Sequence, residues 1–97
     1  MKPRFAPRAV RDLAEIAEYL RRRNPSAALA VRDDILRSVR NVTLFPGVGR
    51  PQNVEGVRKL VTPGHRYLLY YTIDEAAEEI VILTIRHPAR SREYRDV

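Results

Sequence analysis

Seven residues in the second half of the chain could together handle a phosphate: Arg58, Arg66, Arg86, His87, Arg90, Arg92 and Tyr94. Arginine carries a permanent charge on a planar fork of donors that matches phosphate or carboxylate oxygens. Guanidinium groups held close together repel unless an anion or a carboxylate lies between them. With an imidazole that titrates near neutral pH and a phenol, the group would have the parts of a metal-independent ribonuclease. There the ribose 2′-hydroxyl attacks, the arginines offset charge developing on the phosphate, and His87 or Tyr94 moves a proton. Tyr94 is the less comfortable donor, since a phenol titrates at about 10. A plainer reading competes. The arginines are separate and solvated, or paired with Glu93, Asp96 or the C-terminal carboxylate, and His87, ahead of Pro88, caps the backbone at a strand end.

Two apolar stretches must position these groups. Residues 66–73 and 79–87 are apolar at both alternating sets of positions, as expected of central strands. Asp74-Glu75-Ala76-Ala77-Glu78 forms the exposed hairpin between them. In an antiparallel pair the start of the first strand lies beside the end of the second. Arg66 is therefore expected beside Arg86 and His87. A preceding strand, 57–62, turns through Pro63-Gly64. That places Arg58 opposite residues 69–71, a weaker member of the cluster. His65, in the turn, is expected to be solvated.

The first half supplies the layer that packs on this sheet. Lys2–Phe5 reads as an edge strand, because Pro3 cannot donate to a ladder on both sides. Pro7 suits the first turn of a helix. Val10, Leu13, Ile16, Ala17 and Leu20 recur at helical spacing, and Arg21-Arg22-Arg23 closes the helix where cations favour the dipole. Asn24 can cap a second helix opened by Pro25, with a stripe of Ala28, Val31, Ile35, Val39 and Val42 flanked by Leu29 and Leu36. Residues 45–56 read as a loop. Gly47 and Gly49 do not make a phosphate loop, since no strand precedes them and no Gly-Lys-Ser/Thr follows. The whole reads as one α+β domain, residues 1–97. It has two layers: an N-terminal strand, then a helical hairpin packed on an antiparallel sheet, in the order β-α-α-β-β-β.

Composition narrows the function classes. Without cysteine there are no disulfides or thiolate sites, and two histidines without a carboxylate at ligand spacing argue against a metal. No cofactor is expected. The apolar runs fall far short of the roughly 20 residues of a membrane span, and no signal-type segment follows Met1-Lys2-Pro3-Arg4, so a cytoplasmic protein is expected. The net charge of +6 implies attraction to nucleic acid or to an acidic protein. All of that excess sits in residues 1–50, while residues 51–97 balance seven basic against seven acidic groups. The charge is thus not a simple signature of a groove around the C-terminal strands.

The order of these elements resembles the RelE/ParE superfamily of bacterial type II toxin–antitoxin toxins. The resemblance spans nearly the whole chain. It rests on Pro7, Asp12-Leu13-Ala14-Glu15-Ile16, Asn24-Pro25-Ser26-Ala27-Ala28 and Phe45-Pro46-Gly47-Val48-Gly49-Arg50-Pro51. Gly56-Val57-Arg58-Lys59-Leu60-Val61, Tyr67-Leu68-Leu69-Tyr70-Tyr71, Ile80-Val81-Ile82-Leu83 and His87-Pro88-Ala89-Arg90 complete it. RelE-like members are ribosome-dependent endoribonucleases that cut mRNA, whereas ParE-like members inhibit DNA gyrase. Arg66 matches the strand arginine important in the RelE-like enzymes, and Arg90-Ser91 through Tyr94 resembles their C-terminal segment. Pro88, however, stands where a catalytic arginine would be expected, and Lys59 is alone where such enzymes carry several lysines. The long helical hairpin and the His87-Pro88-Ala89-Arg90 ending are more similar to ParE. The resemblance implies a cognate antitoxin whose segment folds over the helices and exposed sheet surface in a hetero-oligomer, the +6 charge favouring an acidic one. It further implies DNA gyrase as target or, in the alternative, the ribosome and mRNA.

Overall fold

Proline and asparagine set the boundaries of the helical layer. In a computed structural model of the chain, residues 1–89 are described. Strand β1 (Lys2–Phe5) hands over through Ala6, whose amide donates to Ile82 O at 2.9 Å, to helix α1 (Pro7–Arg23). Pro7 stands in the first turn, where its missing N–H costs nothing. Asn24 alone separates α1 from α2 (Pro25–Leu44) and caps both. Its amide donates to Leu20 O, and its side-chain oxygen accepts from Ala27 N at 3.2 Å. Its extended backbone is what the residue before a proline must adopt, so the hairpin closes with no further loop.

The helices lie across one face of a five-stranded sheet. After α2 come a single 3-10 turn (Pro46–Val48), β2 (Arg50–Pro51), β3 (Val57–Val61), β4 (Leu68–Asp74) and β5 (Glu79–Arg86). The spatial order is β1-β5-β4-β3-β2. The apolar β4 and β5 are interior, as their composition requires. Their antiparallel pairing, and that of β3 with β4, follows the expected hairpins, with Arg58 opposite Tyr71. β1 is the exception: it pairs with β5 in parallel, Lys2 opposite Glu79 through Phe5 opposite Ile82. The segment 45–56, read from sequence as loop, contributes the short edge strand β2, with Arg50 opposite Lys59.

Beneath the helices, Leu69, Tyr71, Ile80, Ile82 and Ile85 pack against Val31, Ile35, Val39 and Val42 of α2 and against Ala9, Leu13, Ile16 and Leu20 of α1. Fully burying each large side chain contributes about 1.5–3 kcal/mol. The inward stripe of α1 differs from the periodic one. Ala9 and Asp12 are buried, while Val10 is 54% exposed and Ala17 also faces outward. The helix is rolled so that Asp12 reaches β5. On α2, Leu29 and Leu36 are left exposed. A smaller cluster of Val57, Leu68 and Tyr70, with Val54, Val61 and Leu83, covers part of the other sheet face.

Between Tyr70–Thr84 and Tyr71–Ile82 the register skips Leu83, which makes a bulge in β5. β1 stops at Ile82, so the outer edge of β5 loses its strand partner at the same place. The carboxylate of Asp12 takes over there. It accepts from Thr84 Oγ1 at 2.5 Å and from Ile85 N at 3.0 Å, while Arg8 Nε lies 3.3 Å away. A buried strand amide must find an acceptor, and here a helix supplies it.

Candidate functional site

The expected arginine cluster is divided by the fold. Arg58, on β3, is half-buried and committed to the loop before β2: its guanidinium donates to Gly47 O at 3.2 Å and to Gly49 O at 2.7 Å. The same loop is held by Tyr71, whose hydroxyl donates to Pro46 O at 2.6 Å and accepts from Gly49 N at 2.8 Å. Burial pushes the Tyr71 phenol up, against the opposing pull of the Gly49 amide and the nearby Arg58 charge. Arg58 stands three register positions from the Leu68–Arg86 pair, roughly 10 Å along the strand. A guanidinium spent on two carbonyls at that distance is a brace for a loop.

Arg86 and His87 close β5 at the other end. Arg86 lies across Tyr70, its guanidinium carbon 5.4 Å from the ring centroid. The exposed His87 meets Tyr67 edge to face, with centroids 5.5 Å apart and planes at 83°. Its Nδ1 accepts from Ala89 N at 3.0 Å, the backbone cap that the plainer reading of the sequence anticipated. The neutral imidazole bonded this way carries its proton on Nε2. Asp12, Glu15, Tyr19, Tyr67, Arg86 and His87 line a cavity of about 410 Å³ beside these groups. Burial, with a smaller contribution from Tyr19, pushes the Tyr67 phenol up and keeps it protonated near neutral pH. Among the described residues no three His, Asp or Glu side chains converge as a metal-ligand set.

Arg66 does not begin a strand as its sequence suggested. β4 starts two residues later, and Arg66 occupies the turn before it with φ of 60°. That left-handed backbone is rare for a residue with a side chain and cannot sit in a ladder. The turn runs from Thr62 to Tyr67. Thr62 N donates to Tyr67 O, Arg66 N donates to Thr62 O, both at 2.9 Å, and Tyr67 N donates to Thr62 Oγ1 at 3.0 Å. From above, Asp34 of α2 accepts from Gly64 N at 3.0 Å and His65 N at 2.6 Å. His65, expected to be free in solvent, has Nδ1 3.5 Å from the same carboxylate. Burial works to raise the Asp34 pKa. The Thr62 hydroxyl, the two amides and the His65 side chain outweigh it and hold the carboxyl below its ordinary range.

Arg90, Arg92 and Tyr94 lie outside the described residues. Asp12, Asp34 and Tyr67 are the groups that residue type and spacing passed over. The two aspartates carry a weak signal in retrospect, because each interrupts an apolar helical stripe.

Known proteins share the fold. Residues 4–92 match the family described as "ParE toxin of type II toxin-antitoxin system, parDE". The chain is similar to a Sinorhizobium fredii protein described as a candidate toxin, Y4kP. The two are 33% identical over 84 residues, 87% of this chain and 84% of that one. Its fold is similar to a chain of the chromosomal ParDE TA system from P. aeruginosa. That TM-score is 0.76 at 28% identity, over 90% of this chain and 95% of that one. The isolated E. coli RelE toxin has a TM-score of 0.67 at 16% identity, over 94% of this chain and 87% of that one, a likeness of fold alone.

Proposed function

We propose, from the premise that this chain belongs to the ParE toxin family and is the toxin of a type II toxin–antitoxin system, that it acts by binding DNA gyrase and inhibiting it. It is a binding protein with no chemistry of its own. One observation supports this choice over catalysis: the expected arginine cluster is thinned, because Arg58, its weaker member, is committed to the Gly47 and Gly49 carbonyls. The target is then met at the end of the sheet by the exposed Arg66, with the half-buried Arg86 as a further anion-binding candidate; Arg90 and Arg92 are candidates from the sequence alone. The expected outcome of expression without antitoxin is a DNA-damage response, together with gyrase trapped on DNA.

A second reading has its own observation. Arg86 and His87 adjoin an open cavity, where a ribosome-dependent endoribonuclease could place mRNA. Arrested translation, transcripts cut at A-site codons, and relief of toxicity by Arg66→Ala or Tyr94→Phe would replace the gyrase reading with this one.

The P. aeruginosa relative is part of a ParDE system. By that likeness a cognate antitoxin, rich in acidic residues, wraps this chain in a hetero-oligomer. No helix of the described residues is long and apolar enough to cross a membrane. The cytoplasm is the compartment where the proposed target lies, and residues 1–97 act there as one domain.

A further inference from the structure

We propose that Asp34 is the positioning residue for Arg66: a buried carboxylate on α2 fixes the turn from Thr62 to Tyr67 and so presents that arginine to the toxin's target. This rests on the reading that Arg66 meets the target, and it adds how the fold holds it there. Joining β3 to β4 needs only a short turn. This chain instead uses six residues, puts a non-glycine at φ of 60°, and sends an acid from a helix to hold them.

Asp34 is only 5% exposed, and burying a carboxylate is costly unless donors surround it. The donors are the amides of Gly64 and His65, and the neighbouring Thr62 hydroxyl further favours the charged carboxylate. Contact is close enough to select the residue at 64, where an added Cβ would stand 2.9 Å from the Asp34 carboxyl carbon. The tip of the clamped turn, Pro63 to Arg66, stays exposed, and His65 and Arg66 are its residues with ionisable side chains. An unusual backbone torsion held by several independent contacts is how folds preset a functional side chain. The turn is thus fastened to the helical hairpin as well as to the sheet.

The test is the inducer dose that halves growth when the full chain is expressed without antitoxin, at matched soluble protein. Asp34→Asn keeps the side-chain size but cannot accept from both amides. It should raise the dose about 10- to 100-fold, the range expected when a reactive or binding group is displaced by about an ångström. In an Arg66→Ala background the same substitution should add nothing, because it acts through the missing side chain. Amide resonances of residues 64–67 should move while those of β5 stay in place.

Thr62→Val removes the hydroxyl beside the carboxylate, a hydroxyl that also accepts from Tyr67 N, and leaves Asp34 in place. It should act in the same direction but only a few-fold, which covers failure of Asp34→Asn to fold. Full toxicity in a folded Asp34→Asn chain, beside loss in Arg66→Ala, overturns the positioning role alone. So does an undiminished effect of Asp34→Asn in the Arg66→Ala background. Full toxicity of Arg66→Ala would instead overturn the underlying reading of Arg66.

Discussion

Asp12 on α1 and Asp34 on α2 are both buried, and each accepts from the sheet layer: Asp12 from the Thr84 hydroxyl and the Ile85 amide, Asp34 from the amides of Gly64 and His65. Their surroundings make them different. Asp12 serves β5 just past its bulge, in a strand whose register is already set by β4 on its other side. Asp34 serves a turn that no ladder defines. The first closes an uncovered strand edge, so it matters for stability. The second specifies a local conformation, so it matters for what the turn displays. The same residue type, inserted into an apolar helical stripe, therefore does separate work according to whether its partners had another source of order.

The sharpest break of this comparison is a pair of truncations followed by urea unfolding. Asp12→Ala leaves the buried Thr84 hydroxyl and Ile85 amide without an acceptor and should cost about 2–4 kcal/mol. Asp34→Ala frees amides on residues that water can reach, and about 1–2 kcal/mol is expected. Equal or reversed losses would mean that the turn, not the strand edge, bears the structure. Gly64→Ala attacks the second clamp from the other side. With its Cβ at 2.9 Å from the carboxyl carbon, about 1–2 kcal/mol should be lost, and the substitution should become nearly neutral in an Asp34→Ala background.

Acid probes the Asp34 clamp. The Asp34 carboxyl is held below its ordinary range, so it binds a proton less readily folded than unfolded. Its contribution is complete above the unfolded value of about 3.9 and is lost as pH falls through the lower folded value. Urea midpoints measured downward from pH 5 should fall less steeply below about pH 4 in Asp34→Asn than in the parent chain. Parallel profiles would count against the clamp. The smallest effect is reserved for the surface. Arg21 and Glu18 make a 2.6 Å pair that is mostly exposed, and Arg21→Ala should change stability by less than about 0.5 kcal/mol.

Much of the fold can be read along the chain because its signals are local. Pro7, Asn24 and Pro25 announce the helix ends, and the boundaries follow them. Apolar residues on both faces of 66–73 and 79–87 place these strands inside the sheet, and the acidic 74–78 segment makes the hairpin. The misses are all polar or short. Hydrophobic periodicity chose Val10 over Ala9 because it could not see that Asp12 belongs inside. β2 is two residues long and includes a proline, too little pattern to register. Arg66 read as a strand residue because a left-handed backbone at arginine has no sequence signature. Arg58 looked available for an anion because nothing in its neighbours announces the Gly47 and Gly49 carbonyls.

Composition, helix punctuation and strand polarity were enough to determine a helical hairpin over a largely antiparallel ribbon. Which charged groups remain available was decided only when distant segments met. Arg58 found carbonyls nine and eleven residues away, and Asp34 found amides thirty and thirty-one residues away. A hydrogen bond depends on separations of a few tenths of an ångström between atoms far apart in the chain, and periodicity carries no such information.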